Sequence, residues 1–162
     1  MLHRTLLNLL RKDKKKVTMD EEDVRKAFVN AASAIILGNR GNKDVYKISK
    51  DTITYTVDGN TVELVYTEDG TISASVMIID TPWTHILDSE EVRNLYVLSK
   101  ILDDDMDEIR KYYLDLNVMN LILKMFEEFT DQRYREIKDE SRHAIMKTYL
   151  EIEKIKSRYH AD

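Results

Sequence analysis

Alternating apolar and hydroxyl residues in the middle of the chain predict a small β-sheet. Apolar side chains occupy every second position in three successive segments centred on Tyr55, Leu64 and Ala74, and most positions between them hold Thr or Ser. A shorter segment from Val45 to Ile48 precedes these three. Because successive side chains of a strand point to opposite faces, the alternation predicts strands with one buried and one exposed face.

The connections between these segments are typical of tight turns. Asp58 to Asn60 and Asp69 to Gly70 separate the last three segments, and Ser49 to Asp51 joins the first segment to the second. Gly and Asn tolerate the positive φ angles that hairpins need. The pattern therefore predicts a four-stranded antiparallel β-meander between Val45 and Ile79, with helices packed on one face.

Helical periodicity lies on both sides of the predicted sheet. Thr18 and Glu21 have the spacing of a capping box, which predicts a helix start before the sheet. Asp88 and Glu91 repeat that spacing after the sheet and predict a helix that ends near Asp103.

Two further helices are predicted toward the C-terminus. The first follows the run Asp103 to Asp105 and is apolar on more than one stripe, so both of its sides should be covered. The second begins after Asp131 and places Ile145, Ile152 and Tyr159 seven residues apart, as in paired helices. The chain is thus predicted to be an α+β protein with a long C-terminal helical hairpin.

The pattern divides the chain into three regions. Residues 1–16 are predicted to be a basic amphipathic leader helix and linker, residues 17–104 an α-β4-α core, and residues 105–162 the helical hairpin of the same domain. With 162 residues and 43% hydrophobic content, the chain can bury one good core.

Charge is unevenly distributed along the chain. The formal net charge is −5, yet Asp13 is the only acidic residue of the leader. The basic residues of the leader are Arg4, Arg11, Lys12, Lys14, Lys15 and Lys16. Such a segment can contact nucleic acid, membrane phosphates or an acidic protein surface. Its leucines favour docking on protein, because a buried leucine contributes roughly 1.5–3 kcal/mol and an exposed ion pair about 1 kcal/mol or less.

Composition excludes several classes of function. The chain has no cysteine, which removes disulfides, thiolate metal sites and cysteine nucleophiles and fits a reducing cytoplasmic compartment. No apolar run approaches the roughly 20 residues of a membrane span. Abundant Lys, Ile and Tyr are typical of an AT-rich coding source, such as a low-GC bacterium or its phage.

No motif converges on a catalytic centre. Glu140 and His143 have the spacing of a di-iron carboxylate bundle, but such bundles need a second pair of this kind, which the sequence lacks. The four glycines lie at predicted turns and helix ends, which leaves none for a phosphate-binding loop. We therefore predict no catalytic residue, no metal ligand and no cofactor.

The remaining candidates are binding residues. Trp83 and His85 lie together in a predicted irregular loop, where binding groups are often displayed, although Trp83 would also serve to fill the seam between sheet and helices. Tyr112 and Tyr113, on the first C-terminal helix, are further candidates. The predicted oligomer interface consists of Phe126, Phe129, Ile145, Tyr149, Ile152 and Tyr159.

These features favour a non-enzymatic protein-binding module, an adaptor, chaperone or inhibitor, that self-associates. The first alternative is a nucleic-acid-associated accessory protein that uses the basic leader, for which salt-dependent retention on DNA or RNA would be evidence. The second is a small metal-dependent or hydrolytic enzyme that uses His85 with Asp80 or with the run Asp103 to Asp105, for which bound metal would be evidence.

Overall fold

The computed structural model describes residues 19–40, 42–99, 107–125, 127 and 132–159. Within these ranges the chain forms four α-helices and one five-stranded sheet. The helices are α1 (Glu21–Gly38), α2 (Ser89–Tyr96), α3 (Asp107–Met125) and α4 (Gln132–Tyr159). The strands are β1 (Tyr46–Ile48), β2 (Thr52–Val57), β3 (Asn60–Tyr66), β4 (Ile72–Ile78) and β5 (Thr81–Ile86).

The sheet is an antiparallel meander in which the strands lie side by side in chain order. The predicted α+β class and antiparallel arrangement are therefore confirmed. Asp58 and Gly59 form the turn between β2 and β3 with positive φ angles of 50° and 76°. Gly70 has a φ of 81° in the next connection, as its turn sequence predicts.

The prediction of four strands is wrong, because the segment predicted as an irregular loop forms the edge strand β5. β5 pairs with β4 through a turn at Ile79 and Asp80, which have positive φ angles of 48° and 59°. Turns of this kind normally contain Gly or Asn, and here neither is present. Pro82 lies within the strand and is tolerated at a sheet edge, where its missing N–H is not needed for pairing.

The two faces of the sheet differ as the alternation predicts. Apolar side chains of β2, β3 and β4 are buried on one face beneath the helices: Ile53, Tyr55, Val57, Val62, Leu64, Ile72, Ala74, Val76 and Ile78. On the opposite face, the hydroxyls of Thr56 and Thr61 are 2.9 Å apart and those of Ser75 and Thr84 are 3.2 Å apart. This second face, the open face, has no helix over it within the described residues.

The start of α1 differs from the prediction by two residues. Its N-cap is Asp20, whose carboxylate accepts the backbone N–H of Asp23 at 2.9 Å. The predicted cap, Thr18, lies outside the described residues. Asp20 is a favourable N-cap because a carboxylate at the N-terminal end of a helix also interacts favourably with the helix dipole.

The helix after the sheet is shorter than predicted. Asp88 and Glu91 form the predicted capping box at the start of α2, and the helix ends at Tyr96 with a single 3-10 turn at Val97–Ser99. The run Asp103 to Asp105 lies outside the described residues, as do the leader and the boundary predicted at residue 104.

The helices form a second layer in which α3 is central. α3 packs against α1 on one side and α4 on the other, and it also contacts β2 and β5. Ile109, Leu114 and Ile122 are almost fully buried, as are Ile152 and Ile155 of α4. This arrangement accounts for the broad apolar surface of α3. No α-helix within the described ranges is long and apolar enough to cross a membrane.

We predict that Thr54→Lys, on the open face, changes the free energy of unfolding by less than about 1 kcal/mol, as surface substitutions usually do. Leu64→Ala, on the buried face, should lower it by about 2–5 kcal/mol because it leaves a cavity. Urea denaturation measures both. A loss of several kcal/mol for Thr54→Lys would mean that another layer covers the open face.

We also predict that the double variant Ile79→Asn/Asp80→Gly is more stable than the native chain. A β-branched residue in the left-handed region costs roughly 1–2 kcal/mol, and Asn-Gly relieves that strain. Ile79→Ala is the matched control, because it shortens the side chain and keeps the strained backbone. Equal stability of both variants in urea denaturation would contradict the assignment of strain to this turn.

Candidate functional site

A buried polar cluster joins the sheet to α3. The Tyr55 hydroxyl donates to Asp115 Oδ1 at 2.6 Å, and Lys111 Nζ lies 3.0 Å from Asp115 Oδ2. The side chain of Asn39 lies next to the Tyr55 hydroxyl. Asp115 is only 4% exposed, so its carboxylate depends on these donors in place of water. We call these four residues the Asp115 cluster.

Local structure accounts for each member of the Asp115 cluster. Tyr55 occupies an inward position of the alternating strand β2, and Lys111 and Asp115 share one face of α3 because they are four residues apart. Asn39 follows the last residue of α1 and caps that helix, because its side-chain amide donates to the Ile35 carbonyl oxygen at 2.8 Å.

Gly38 allows α1 to approach α3 at this point. A Cβ atom at Gly38 would lie 2.2 Å from Lys111 Cβ, which is closer than carbon atoms can approach. The absence of a side chain at this position therefore lets the end of α1 rest on the stem of Lys111, and it brings Asn39 next to Tyr55.

Burial dominates the electrostatics of the Asp115 cluster. It raises the pKa of Asp115, against the opposing effects of the Lys111 charge and the hydrogen bond from Tyr55. Burial and the nearby Asp115 carboxylate raise the pKa of Tyr55 well above its usual range, so its hydroxyl remains a donor. Burial and the neighbouring Glu108 carboxylate also raise the pKa of Tyr112.

The Asp115 cluster lies at an open cleft between α1, β2, α3 and α4, with a volume of about 440 Å³. Its walls include apolar side chains of Val45, Val57 and Met119 together with Lys147 and Thr148. A second open cleft of about 460 Å³ adjoins it, lined by Asp58, Asp139, Glu140, His143, Ala144 and Lys147. The main polar groups at the base of the first cleft are bonded to one another, which favours a structural role for them.

Glu140 and His143 line the second cleft near Asp58 and Asp139. Among the described residues, no three His, Asp or Glu side chains are placed so that they could hold a metal ion together.

Trp83 and His85 lie on the inward side of β5, opposite Val76 and Ala74 of β4. Trp83 packs against the core. His85 Nε2 lies 2.7 Å from Glu91 Oε1, whereas Asp80 is in the turn at the opposite end of β5. The structure therefore places both predicted site residues where they attach the edge strand to the helices.

Glu91 connects three elements through its carboxylate. Besides His85, it accepts the Asp88 backbone N–H at 2.8 Å and lies 3.4 Å from Lys124 Nζ on α3. A pocket of about 140 Å³ adjoins it between α2 and α3, and Asn94, Asn117 and Asn120 contribute to the lining. The capping box could be predicted from sequence, but its link to His85 required β5 to be recognised as a strand.

Tyr112 and Tyr113 occupy different surroundings. Lys111 Nζ lies 4.8 Å from the ring centre of Tyr112, which lines the first cleft. Lys156 Nζ, on α4, lies 5.7 Å from the ring centre of Tyr113. The predicted binding residues therefore do not form a single site. Tyr112 and Tyr113 contact different lysines, and Trp83 and His85 lie on β5.

The outward side of α4 carries the most exposed apolar group on a helix. Met146, Tyr149 and Leu150 are 64%, 52% and 58% exposed, and we call them the α4 patch. Of the predicted interface residues, Tyr149 belongs to this patch, Ile145 is half-buried against the core and Ile152 is 1% exposed within a single chain. Phe126, Phe129 and the Tyr159 side chain lie outside the described residues.

Comparisons of the chain with protein-family models, with curated proteins and with solved structures each found no match.

We predict that Asp115→Asn lowers the free energy of unfolding by about 1–3 kcal/mol, because an amide has only one oxygen to accept from the two donors Tyr55 and Lys111 and turns its NH₂ group toward the other donor. The difference in the free energy of unfolding between the native chain and the variant should be largest near pH 4 and should become smaller as the pH rises. A carboxyl whose folded-state pKa is raised contributes stability that is lost as the pH rises through that pKa. Urea denaturation across this range measures the difference.

Asp44→Asn is the control for that pH series, because Asp44 is an exposed carboxylate outside the cluster. The free energy of unfolding of this variant should differ little from that of the native chain, as for most surface substitutions. If the Asp115→Asn difference widens as the pH rises, the ion pair outweighs burial and the assigned direction of the pKa shift is wrong.

Proposed function

We propose that the chain is a non-enzymatic protein-binding module that self-associates through α4. The observation that carries this proposal is the α4 patch, in which three large apolar side chains are exposed on adjacent turns of one helix. Single exposed apolar residues are ordinary, whereas a contiguous group of them marks an interaction surface.

The remainder of α4 supports the same proposal. Its opposite side is packed on the core through Ile152 and Ile155, so the helix does not need its outward apolar residues for its own attachment. Arg142 and Glu153 are exposed on either side of the patch. An apolar centre with a charged rim is the common composition of a protein interface.

The chemistry of the clefts also favours binding over catalysis. Asp115, Lys111 and Tyr55 are bonded to one another, and the His85 ring is held by Glu91. Groups paired in this way contribute to the stability of the fold. Self-association on α4 leaves the open face and the clefts for another protein, as an adaptor, chaperone or inhibitor requires.

We predict that the full chain forms dimers at concentrations of tens to hundreds of micromolar and that Met146→Glu weakens them strongly. A carboxylate at the centre of an apolar contact loses most of its hydration when the contact forms, which opposes association. Sedimentation equilibrium of the native chain and the variant measures the effect, and circular dichroism confirms that both are folded.

Met77→Glu is the matched control, because Met77 is 62% exposed on the open face of the sheet and undergoes the same substitution. It should leave the dimer unchanged. A native chain that remains monomeric up to several hundred micromolar, or equal effects of the two variants, would contradict self-association through α4.

A further inference from the structure

We infer that two copies of α4 pair in antiparallel orientation about a two-fold axis that passes between positions 147 and 148. This inference rests on the proposed function and specifies the partner, a second copy of this chain, and the register in which it binds. Two opposite charges, those of Arg142 and Glu153, flank the α4 patch along the helix and support this inference.

Arg142, Met146, Tyr149 and Glu153 form one continuous stripe on α4. Their spacings of four, three and four residues keep successive side chains on the same side of the helix. All four are exposed, while Ser141, Ile152 and Ile155 are buried on a different side of the helix. The stripe is therefore available to a second helix along its whole length, about 16 Å at about 1.5 Å per residue.

The charges flank the apolar centre symmetrically. Arg142 lies four residues before Met146, and Glu153 lies four residues after Tyr149. When a second α4 runs in the opposite direction about the proposed axis, Met146 of each copy faces Tyr149 of the other. The same register places Arg142 of each copy opposite Glu153 of the other. One apolar pair and one ion pair are thus each formed twice, as a two-fold interface requires.

The alternative orientation lacks this complementarity. In a parallel pair about a two-fold axis, each residue faces its own equivalent, so Arg142 would face Arg142 and Glu153 would face Glu153. Like charges at facing positions are destabilising and select against that arrangement.

The size of the contact sets the expected affinity. A single pair of helices over a few turns buries less area than a standard stable interface, which places the complex among weak and reversible associations. The dissociation constant of the dimer should therefore be micromolar, and it should change when a charge that faces the other copy is altered.

The test is a charge exchange in the full chain, followed by sedimentation equilibrium at low ionic strength, where surface charges are least screened. Arg142→Glu and Glu153→Arg should each weaken the dimer by about tenfold, because each places like charges opposite one another twice. The double variant Arg142→Glu/Glu153→Arg should recover to within about threefold of the native chain, since it restores both ion pairs in reversed order. An equimolar mixture of the two single variants should also dimerise, as a heterodimer.

Lys154→Glu is the control, because it reverses a charge on an exposed side chain of the same helix outside the stripe. It should leave the dissociation constant unchanged, and circular dichroism should show native helix content for every variant. Arg142 also lies 3.2 Å from Asp139 in its own chain, and loss of that exposed ion pair alone would not be restored by Glu153→Arg.

The outcomes separate this inference from the proposed function. A dimer that is lost in Met146→Glu but unaffected by both single charge reversals would overturn the antiparallel register and retain self-association through α4. A dimer weakened by the single reversals but not recovered in the double variant would also overturn the register. A native chain that is monomeric at all concentrations would overturn both proposals and would mean that another protein, or another segment of this chain, covers the α4 patch.

Discussion

The fold depends on stabilising the carboxylate of Asp115 within the core. Tyr55 supplies a hydrogen bond from the sheet, Lys111 supplies a charge from the same helix, and Asn39 completes the group from the end of α1. Movement of β2 away from α3 would remove the hydrogen bond from Tyr55 and leave this buried charge with one donor fewer, which is costly. The Asp115 cluster therefore fixes the relative positions of β2 and α3, and the close approach of Gly38 to Lys111 places the end of α1 against α3.

A second polar connection acts at the other end of the helical layer. Glu91 joins His85 on β5, the start of α2 and Lys124 near the end of α3. α3 is thus held by polar contacts at its middle, through Asp115, and near its C-terminal end, through Lys124, while its apolar residues fill the space between α1, the sheet and α4. α4 is packed on this layer through Ile152 and Ile155 and still presents a second apolar surface outward.

Sequence periodicity was sufficient for the elements that follow simple rules. Strands β2 to β4 alternate clearly, their turns contain glycine, and α2 begins with a capping box, so these features could be predicted. β5 could not, because its turn forces Ile79 into a conformation that local preference disfavours and pairing with β4 outweighs that cost. The Asp115 cluster was also missed. Lys111 and Asp115 are visible as a pair on one helix, but only the folded chain brings Tyr55 and Asn39 to them.

The edges of the sheet affect how copies of this protein can assemble. β1 has only three residues, and Pro82 removes a hydrogen-bond donor from β5, so neither edge offers a long, uninterrupted row of backbone groups to another strand. Growth of the sheet from one molecule to the next is consequently disfavoured. A contact between helices about a two-fold axis occupies the same surface on both molecules and closes on itself. Such a protein would form finite pairs and would resist polymerising into open-ended fibres, even when it is concentrated.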